Sequence, residues 1–560
     1  MRQSFVQANI EFLPQLPTQD FRVHSSFLVD ADSPSIGSTR WVCQKRRADP
    51  TRIAGPPPRK YRHPTPSDIN YPVSLKDLEQ SLTNLPRVGL LVKDLPYRQV
   101  WRFEHGGKGY YLKFYPRNTS PLAKLKKLFR GSPAMHEFLR LQWLQKAGVA
   151  APHAVAVLMG FKIGPRVGDA VLIDAIEPAV TLDRYFNNLH LAGDRAPDHR
   201  QIAQKLRDLV YALGHAKLGH SDLNLGNFLM QGEKLFLLDG YAVRKEGLRK
   251  KDILQLGHSA ARYATSADLA RGWIKLGDGP MPRDNPVSRR IWRRFLERTR
   301  GGNRYFGNIQ SEGWNGVFFR QFKYPHRWSA ASRLEVTEND WLREWPALLK
   351  QIEADGLHIM KRSRSGDVLS ADIVLAGKPM SVVIKRPRRR YWYRYLNEIG
   401  RGARARRAWY KAWNLIVRNI PTAWPLLLME KRTLGYVTDT IILCERIAGS
   451  DMAGVNLDAM DPGQREMLFR RTGKLLRKIE RHGFSHFDAK ANNWIVYDDP
   501  KTGPQPILVD VDGIRRRQWV ALGIQRLLRS MKEHQQYAPP DSLALCQGYA
   551  PYAQFMKEDE

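Results

Sequence analysis

The sequence predicts an α+β fold built twice over: two bilobal halves in tandem, each a small antiparallel β-rich lobe followed by a helical lobe. Three observations predict it. The segment His220-Ser221-Asp222-Leu223-Asn224-Leu225-Gly226-Asn227 returns in altered form as His486-Phe487-Asp488-Ala489-Lys490-Ala491-Asn492-Asn493. Each copy leads into an apolar strand that ends in another carboxylate, Asp239 in the first and Asp510 in the second. A lysine closing an earlier strand precedes each copy at nearly the same distance, 109 residues from Lys113 to Asp222 and 103 from Lys385 to Asp488.

The bulk numbers agree with this division. A chain of 560 residues is too long for one ordinary core, and 42% apolar residues with 10% aromatics offset the entropy of folding. Lys and Arg outnumber Asp and Glu by 90 to 55, which points to an anionic partner such as a nucleotide, a phosphorylated glycolipid or a membrane headgroup. Cys43, Cys444 and Cys546 show no paired spacing, so neither a disulfide framework nor a zinc site is expected. No apolar run has signal-peptide or membrane-spanning length. The chain is expected in the cytoplasm, held by charge to the inner face of the cytoplasmic membrane.

Three regions are expected along the chain. Residues 1–75 form an irregular basic arm, with Pro56, Pro57 and Pro58 resisting regular structure and a strand only around Phe27–Val29. The first half covers 76–325 and the second 335–560, with the junction near 326–334. In the first half, alternation over Arg98–Glu104, a turn at His105-Gly106-Gly107-Lys108-Gly109 and a strand over Tyr110–Tyr115 make a hairpin. A helix follows over Met135–Ala147, then a buried strand over Ala170–Ile176 and helices over 201–218, 252–265 and 288–300. The second half repeats the order with a hairpin at 367–385, a basic helix over 404–418, a strand over 440–446 and a long helix over 462–482.

The recurring residues carry a definite chemistry. A strand-borne amine reaches nucleotide phosphates when a helix carboxylate holds it, and Glu137 is the evident partner of Lys113. Asp222 is placed to accept the proton of an attacking hydroxyl. Asn227 and Asp239 supply oxygens suited to a hard octahedral cation such as Mg2+. Taken singly, each residue reads as solvated surface or a turn cap; taken in order and twice, they form the track of a phosphotransferase. Asp488, Lys385, Asn493 and Asp510 are the second set. His220 and His486 are expected to brace their loops.

On His220-x-Asp222-Leu223-Asn224-x-x-Asn227, Leu238-Asp239, and Lys113 with Glu137, the chain resembles the protein-kinase-like superfamily, and within it the bacterial lipopolysaccharide core kinases of the Kdo kinase/WaaP type. The resemblance covers roughly residues 80–300 and 360–530. It implies two protein-kinase-like domains, ATP with magnesium, and phosphorylation of a sugar hydroxyl in the lipid A–core region. The departures are equally specific. Neither half has a G-x-G-x-x-G loop; Leu95-Pro96-Tyr97-Arg98-Gln99 and Ser363-Arg364-Ser365-Gly366-Asp367 stand in its place. Ala408 occupies the position of Glu137, and neither Glu398 nor Glu430 has the spacing to replace it.

Between Lys385 and Arg418, twelve Lys or Arg residues face the single acid Glu398 and are interleaved with Tyr391, Trp392, Tyr393, Tyr395, Trp409, Tyr410 and Trp413. This stretch is expected either to dock an anionic glycolipid or membrane surface or to bury its rings in an ordinary core. A second basic helix, Arg289-Arg290-Ile291-Trp292-Arg293-Arg294-Phe295, would extend the docking face. The competing functional expectations are a tandem pseudokinase scaffold that binds nucleotide or glycolipid, and an atypical Ser/Thr protein kinase. No Ala-Pro-Glu follows Gly240, which favours a small-molecule or glycolipid acceptor. A nucleic-acid partner ranks below these for want of a motif.

Overall fold

The computed structural model describes residues 82, 84–117, 131–194, 199–264, 285–364, 366–388, 402–516, 521–534 and 537–550. The basic arm, its expected strand, and Tyr391, Trp392, Tyr393, Tyr395 and Glu398 lie outside the described residues.

The expected hairpin is β2 (Arg98–His105) with β3 (Lys108–Pro116), joined in one sheet by β1 (Leu90–Leu95), β4 (Ala154–Ile163) and β5 (Arg166–Asp174) in the order β1-β2-β3-β5-β4. Alternation along β3 divides its two faces. Tyr110, Leu112 and Phe114 enter a core with Trp101, Phe103 and Leu172. On the other face Tyr115 packs with Leu141 and Leu144 of helix α1 (Pro133–Lys146). Helices α2 (His199–His215) and α3 (Lys250–Ala260) belong, with the helix Leu182–Ala192, to the helical part of the first half.

The second sheet repeats the first and enlarges it. Strands β8 (His358–Ser363), β9 (Gly366–Leu375), β10 (Lys378–Pro387), β11 (Pro425–Thr433) and β12 (Tyr436–Glu445) run in the order β8-β9-β10-β12-β11, the same sequence of edge strand, hairpin, last strand and fourth strand. Even the irregularities recur: a bulge falls between Leu91 and Lys93 on β1 and between Ile359 and Lys361 on β8. Residues Arg404–Ile416 form the basic helix α6, and α7 (Pro462–Arg481) leads into the second His-x-Asp segment.

The expected junction does not coincide with the division of the sheets. The hairpin of β6 (Phe306–Ser311) and β7 (Trp314–Phe319), not read from the sequence although it falls within the expected bounds of the first half, pairs through β7 with β11 and makes the second sheet seven-stranded. Its apolar residues explain why: Phe306, Phe318 and Phe319 are fully buried in the second core, with Trp413 and Trp424. Helix α4 (Pro286–Arg298) sends Phe295 against Trp413 and Phe306 at centroid distances of 6.1 and 5.7 Å. Helix α5 (Glu338–Glu353), absent from the sequence reading, is started by a capping box between Thr337 and Asp340 and buries Trp341, Trp345 and Ile352.

The chain between the halves is pinned by one buried carboxylate. Glu445, at the end of β12, accepts from the amides of Ala330 (2.6 Å) and Ala331 (3.1 Å) and from the Ser329 hydroxyl. Burial outweighs these bonds and pushes its pKa up to about 7. Between the ordinary carboxylate range and pH 7 the folded state therefore holds a proton that the unfolded state has released, so this group's contribution to stability falls as pH rises through that window. Glu445→Gln is expected to flatten the profile between pH 5 and 8, by up to about 2–3 kcal/mol relative to the parent. Urea midpoints of both proteins across that range check it; parallel profiles would refute the assignment.

Candidate active site

The first set of predicted residues is linked through the sheet, the following helix and two loops by a chain of ion pairs and hydrogen bonds. Lys113 points from β3 to Glu137 on α1, and the two form an ion pair whose carboxylate is fully buried. Tyr115, two residues along the same strand and on the same face, donates its hydroxyl to the other oxygen of Glu137 at 2.5 Å. Burial, then the neighbouring carboxylate, raises the Tyr115 pKa, so the phenol stays a donor.

Asp239 lies beyond the strand Lys234–Leu237 with φ of 60°, in the left-handed region. The next residue is a glycine for a steric reason: a Cβ at Gly240 would sit 2.6 Å from Leu141 Cγ, so the loop presses directly on α1. Arg140 of the same helix holds the loop by donating to the Tyr241 carbonyl. Among the described residues the buried Asp239 Oδ1 atom accepts no hydrogen bond, and Arg98 Nη1 lies 3.6 Å from it.

Arg98 was not among the residues chosen from the sequence. It opens β2 directly after the Pro96-Tyr97 turn, where a glycine-rich loop was looked for and not found. Burial works against its charge, but Tyr115, Asp239 and Glu137 more than offset this and raise its pKa. Lys93, delivered by the β1 bulge, is close enough to feel the same groups: partial burial, then Arg98, lowers its pKa, and Asp239 opposes the shift. A carboxylate facing several cations is suited to a polyanion that the cations would hold.

Asp222 stands in the loop after His220. Asn227 donates to its backbone oxygen at 2.6 Å and to Oδ2 at 3.2 Å, and Gln255 of α3 donates to Oδ1 at 2.5 Å. With its amide nitrogen so used, Asn227 keeps its carbonyl oxygen for another ligand. His220 is buried, which holds its pKa down, and its Nε2 lies 3.1 Å from the Leu238 oxygen and 3.2 Å from that of Asp239. It ties the Asp222 loop to the Asp239 loop. Among the described residues no cluster of three His, Cys, Asp or Glu side chains forms an all-protein metal cage. Two protein oxygens plus phosphate oxygens are the arrangement a magnesium nucleotide takes.

The second set sits on the same frame with different wiring. Asn493 donates to the Asp488 backbone oxygen at 2.6 Å and lies 3.4 Å from its Oδ2, and Lys490 Nζ is 3.5 Å from Oδ1. His486, pushed down to about 4 chiefly by burial, accepts from the Asp488 amide. Lys385 finds no helix carboxylate: its amine donates to the Val509 oxygen at 3.1 Å and lies 3.7 Å from Asp510. Burial alone would raise the Asp510 pKa, but Lys385 and the Asp512 amide, which donates to Oδ1 at 2.9 Å, hold it low. Ala408 is buried, and Glu430 is taken by Arg406 and Arg432. By sheet register, Gly366 stands where the first half has Arg98.

Of the two expectations for the basic aromatic stretch, burial decides for the core at Trp409 and Trp413, while Tyr410 is half-buried and Tyr391, Trp392, Tyr393 and Tyr395 lie outside the described residues. Trp409 and Trp413 are 1% and 0% exposed in the second core, and Trp409 donates its indole N–H to the Thr299 oxygen at 3.1 Å. Their spacing is that of a helix facing a core, so they are not ring anchors for a membrane. Trp292 of α4 is likewise buried.

Residues 89–272 match the lipopolysaccharide kinase (Kdo/WaaP) family, which bears out over that segment the resemblance read from the motifs and the kinase-like character of the α+β fold. No curated protein matches the chain. Among solved structures, WaaP in complex with acyl carrier protein is 20% identical, with a TM-score of 0.28 and coverage of 39% of this chain and 86% of that one. A thermostable mutant of the aminoglycoside phosphotransferase APH(4)-Ia, in its apo form, is 10% identical, with a TM-score of 0.21 and coverage of 30% and 71%. No helix among the described residues is long and apolar enough to cross a membrane.

The two lysines should answer differently to deletion. Lys113→Met leaves Glu137 buried without its cation and is expected to cost about 3–5 kcal/mol. The double variant with Glu137→Gln should recover most of that. Lys385→Met, beside a carboxylate one third exposed and bonded by an amide, should cost about 1 kcal/mol or less. Chemical denaturation of the four proteins measures this; equal losses for the two lysines would contradict the wiring described.

Proposed function

We propose that the chain transfers the γ-phosphoryl group of ATP to a sugar hydroxyl of lipopolysaccharide core, Kdo or a related envelope glycolipid, and that it consists of two kinase-like domains in tandem. The observation that carries this is the convergence of the Lys113–Glu137 pair, Asp222 with Asn227, and an Asp239 oxygen that is buried and unbonded. The family match over residues 89–272 supports the sugar acceptor.

In this reading Lys113, oriented by Glu137, clamps the nucleotide phosphates, with Arg98 and Lys93 replacing the absent glycine-rich loop. Asn227 and Asp239 would hold Mg2+, which when bound neutralises charge on the phosphate oxygens. Asp222 takes the proton of the acceptor hydroxyl as its oxygen bonds to the γ-phosphorus. The bond from that phosphorus to the bridging oxygen breaks, and ADP leaves with the electron pair. Gln255 and Asn227 keep the Asp222 carboxylate turned for this step.

The second half supports binding better than turnover. Asp510 is already engaged by Lys385 and the Asp512 amide, Lys385 has no carboxylate on the helix, and Gly366 replaces a cation. We assign phosphoryl transfer to Asp222 and leave Asp488 with Asn493 and Asp510 as the remnant or nucleotide-holding counterpart. The enzyme would work at the inner face of the cytoplasmic membrane, where an anionic glycolipid acceptor is found, drawn there by its surplus of cations.

Asp222→Asn should lower phosphate transfer about 10²–10⁴-fold, whereas Asp488→Asn should change it by less than about threefold. Mass spectrometry of lipid A–core from cells carrying each variant reads the result. Loss of one phosphate with Asp222→Asn alone is expected; unchanged glycolipid in both would remove the substrate assignment.

A further inference from the structure

A cavity of ≈ 530 Å³ lies where the two halves meet, and its lining runs from Asp222 and Gln255 to Lys478 and His482 of the second half. Lys and Arg side chains outnumber acids in it. Of its carboxylates, Asp183 is already paired with Lys323 at 2.9 Å, and Asp222 is the residue assigned above to the chemistry.

The lining contains a charge that the protein leaves uncompensated. Arg262 follows α3, donates to the Tyr324 oxygen at 2.7 Å and also bonds the Tyr263 hydroxyl, and its guanidinium lies 4.8 Å from the centre of the Tyr324 ring. Its Nε is buried and finds no hydrogen-bond partner among the described residues. Among the described residues no carboxylate pairs with it, and burial pulls its pKa down with only Tyr263 and Tyr324 opposing. His326 and His190, close by, are held neutral first by burial and then by the positive field of Arg262, to which Lys478 adds; Asp499, which opposes the shift at His190, is itself paired with Arg327. A half-buried guanidinium without a counter-ion carries a desolvation cost that an anionic ligand would offset. Tyr263 and Tyr324, both half-buried, line the same cavity, the first stacked on Phe186 and the second beneath the cations of Arg262 and Lys323.

We propose that this junction cavity is the acceptor site, in which Arg262 binds an anionic group of a sugar, phosphate or carboxylate, so that a hydroxyl of the same sugar meets Asp222. Lys478 brings the second half into the site, and exposed Arg294 stands at its rim. The presentation of the hydroxyl to Asp222 rests on the phosphotransferase reading; the binding of an anionic sugar does not.

The test is isothermal titration of the full chain with glucose 6-phosphate, glucuronate and glucose, in the parent, Arg262→Gln and Arg294→Glu. At least one of the two anionic probes should bind more tightly than glucose, and which of them is preferred identifies phosphate or carboxylate. Arg262→Gln should weaken that binding about tenfold or more, and Arg294→Glu about threefold, with ATP affinity unchanged in both. Anionic probes binding no better than glucose would overturn the proposal, as would parent-like affinity in Arg262→Gln. Should Arg262→Gln fail to fold, unchanged affinity in Arg294→Glu is decisive against it. Binding that depends on Arg262 without any phosphate transfer from ATP to the glycolipid would leave this site standing and remove the proposed function. Transfer to the glycolipid with an unaltered KM in Arg262→Gln would do the reverse.

Discussion

The first half is organised around a carboxylate with no access to water. Glu137 is fully buried, and an ionised group in that position persists only if cations and donors replace its hydration. Lys113 and Tyr115 do so from alternate positions of one strand, which the two-residue period of β3 places on the same face. Satisfying Glu137 therefore fixes α1 against the sheet. Because Gly240 lies against Leu141, it also fixes the loop that carries Asp239. A single electrostatic requirement thus sets the placement of Lys113 relative to Asp239.

The second half shows what the same backbone does when that requirement is removed. With Ala408 on the helix, Lys385 turns to the loop and pairs with Asp510, which is also bonded by the Asp512 amide. The helix is instead secured by Arg406 to Glu430 and by Arg404 to Asp512. Strand order, edge bulge and His-x-Asp loop are retained, so the frame depends on sheet and core packing, and the ion pairs decide what the cleft can hold.

The site was legible in the sequence because its residues lie in short ordered motifs whose spacing the fold conserves twice. Lys113, Glu137, Asp222, Asn227 and Asp239 needed only a strand end, a helix and two loops to be placed. Arg98, Lys93 and Gln255 carry no such signature: each acquires its role from a turn, a bulge or a helix packing that brings it beside a carboxylate distant in sequence. Helix α5 was legible and missed, since Thr337 with Asp340 is a capping box and Trp341, Trp345, Leu348 and Ile352 follow at helical spacing. The placement of the hairpin at 306–319 was not legible, because alternation marks a strand and leaves its partner sheet open. The aromatic basic helix shows the opposite ambiguity, one pattern serving core and surface until burial decides.

The duplication matters chiefly through what joins the copies. Strand β7 pairs with β11, Trp409 bonds the Thr299 oxygen, and Lys501 reaches Asp194 at 3.0 Å, so residues of the first half complete the second and the reverse. Removing the second half would expose Phe306, Phe318 and Phe319 to water, whatever becomes of its His-x-Asp loop. Packing across β7 and β11 therefore holds a half whose sheet repeats the strand order of the first while Lys385 pairs with the loop carboxylate of Asp510 instead of a helix carboxylate.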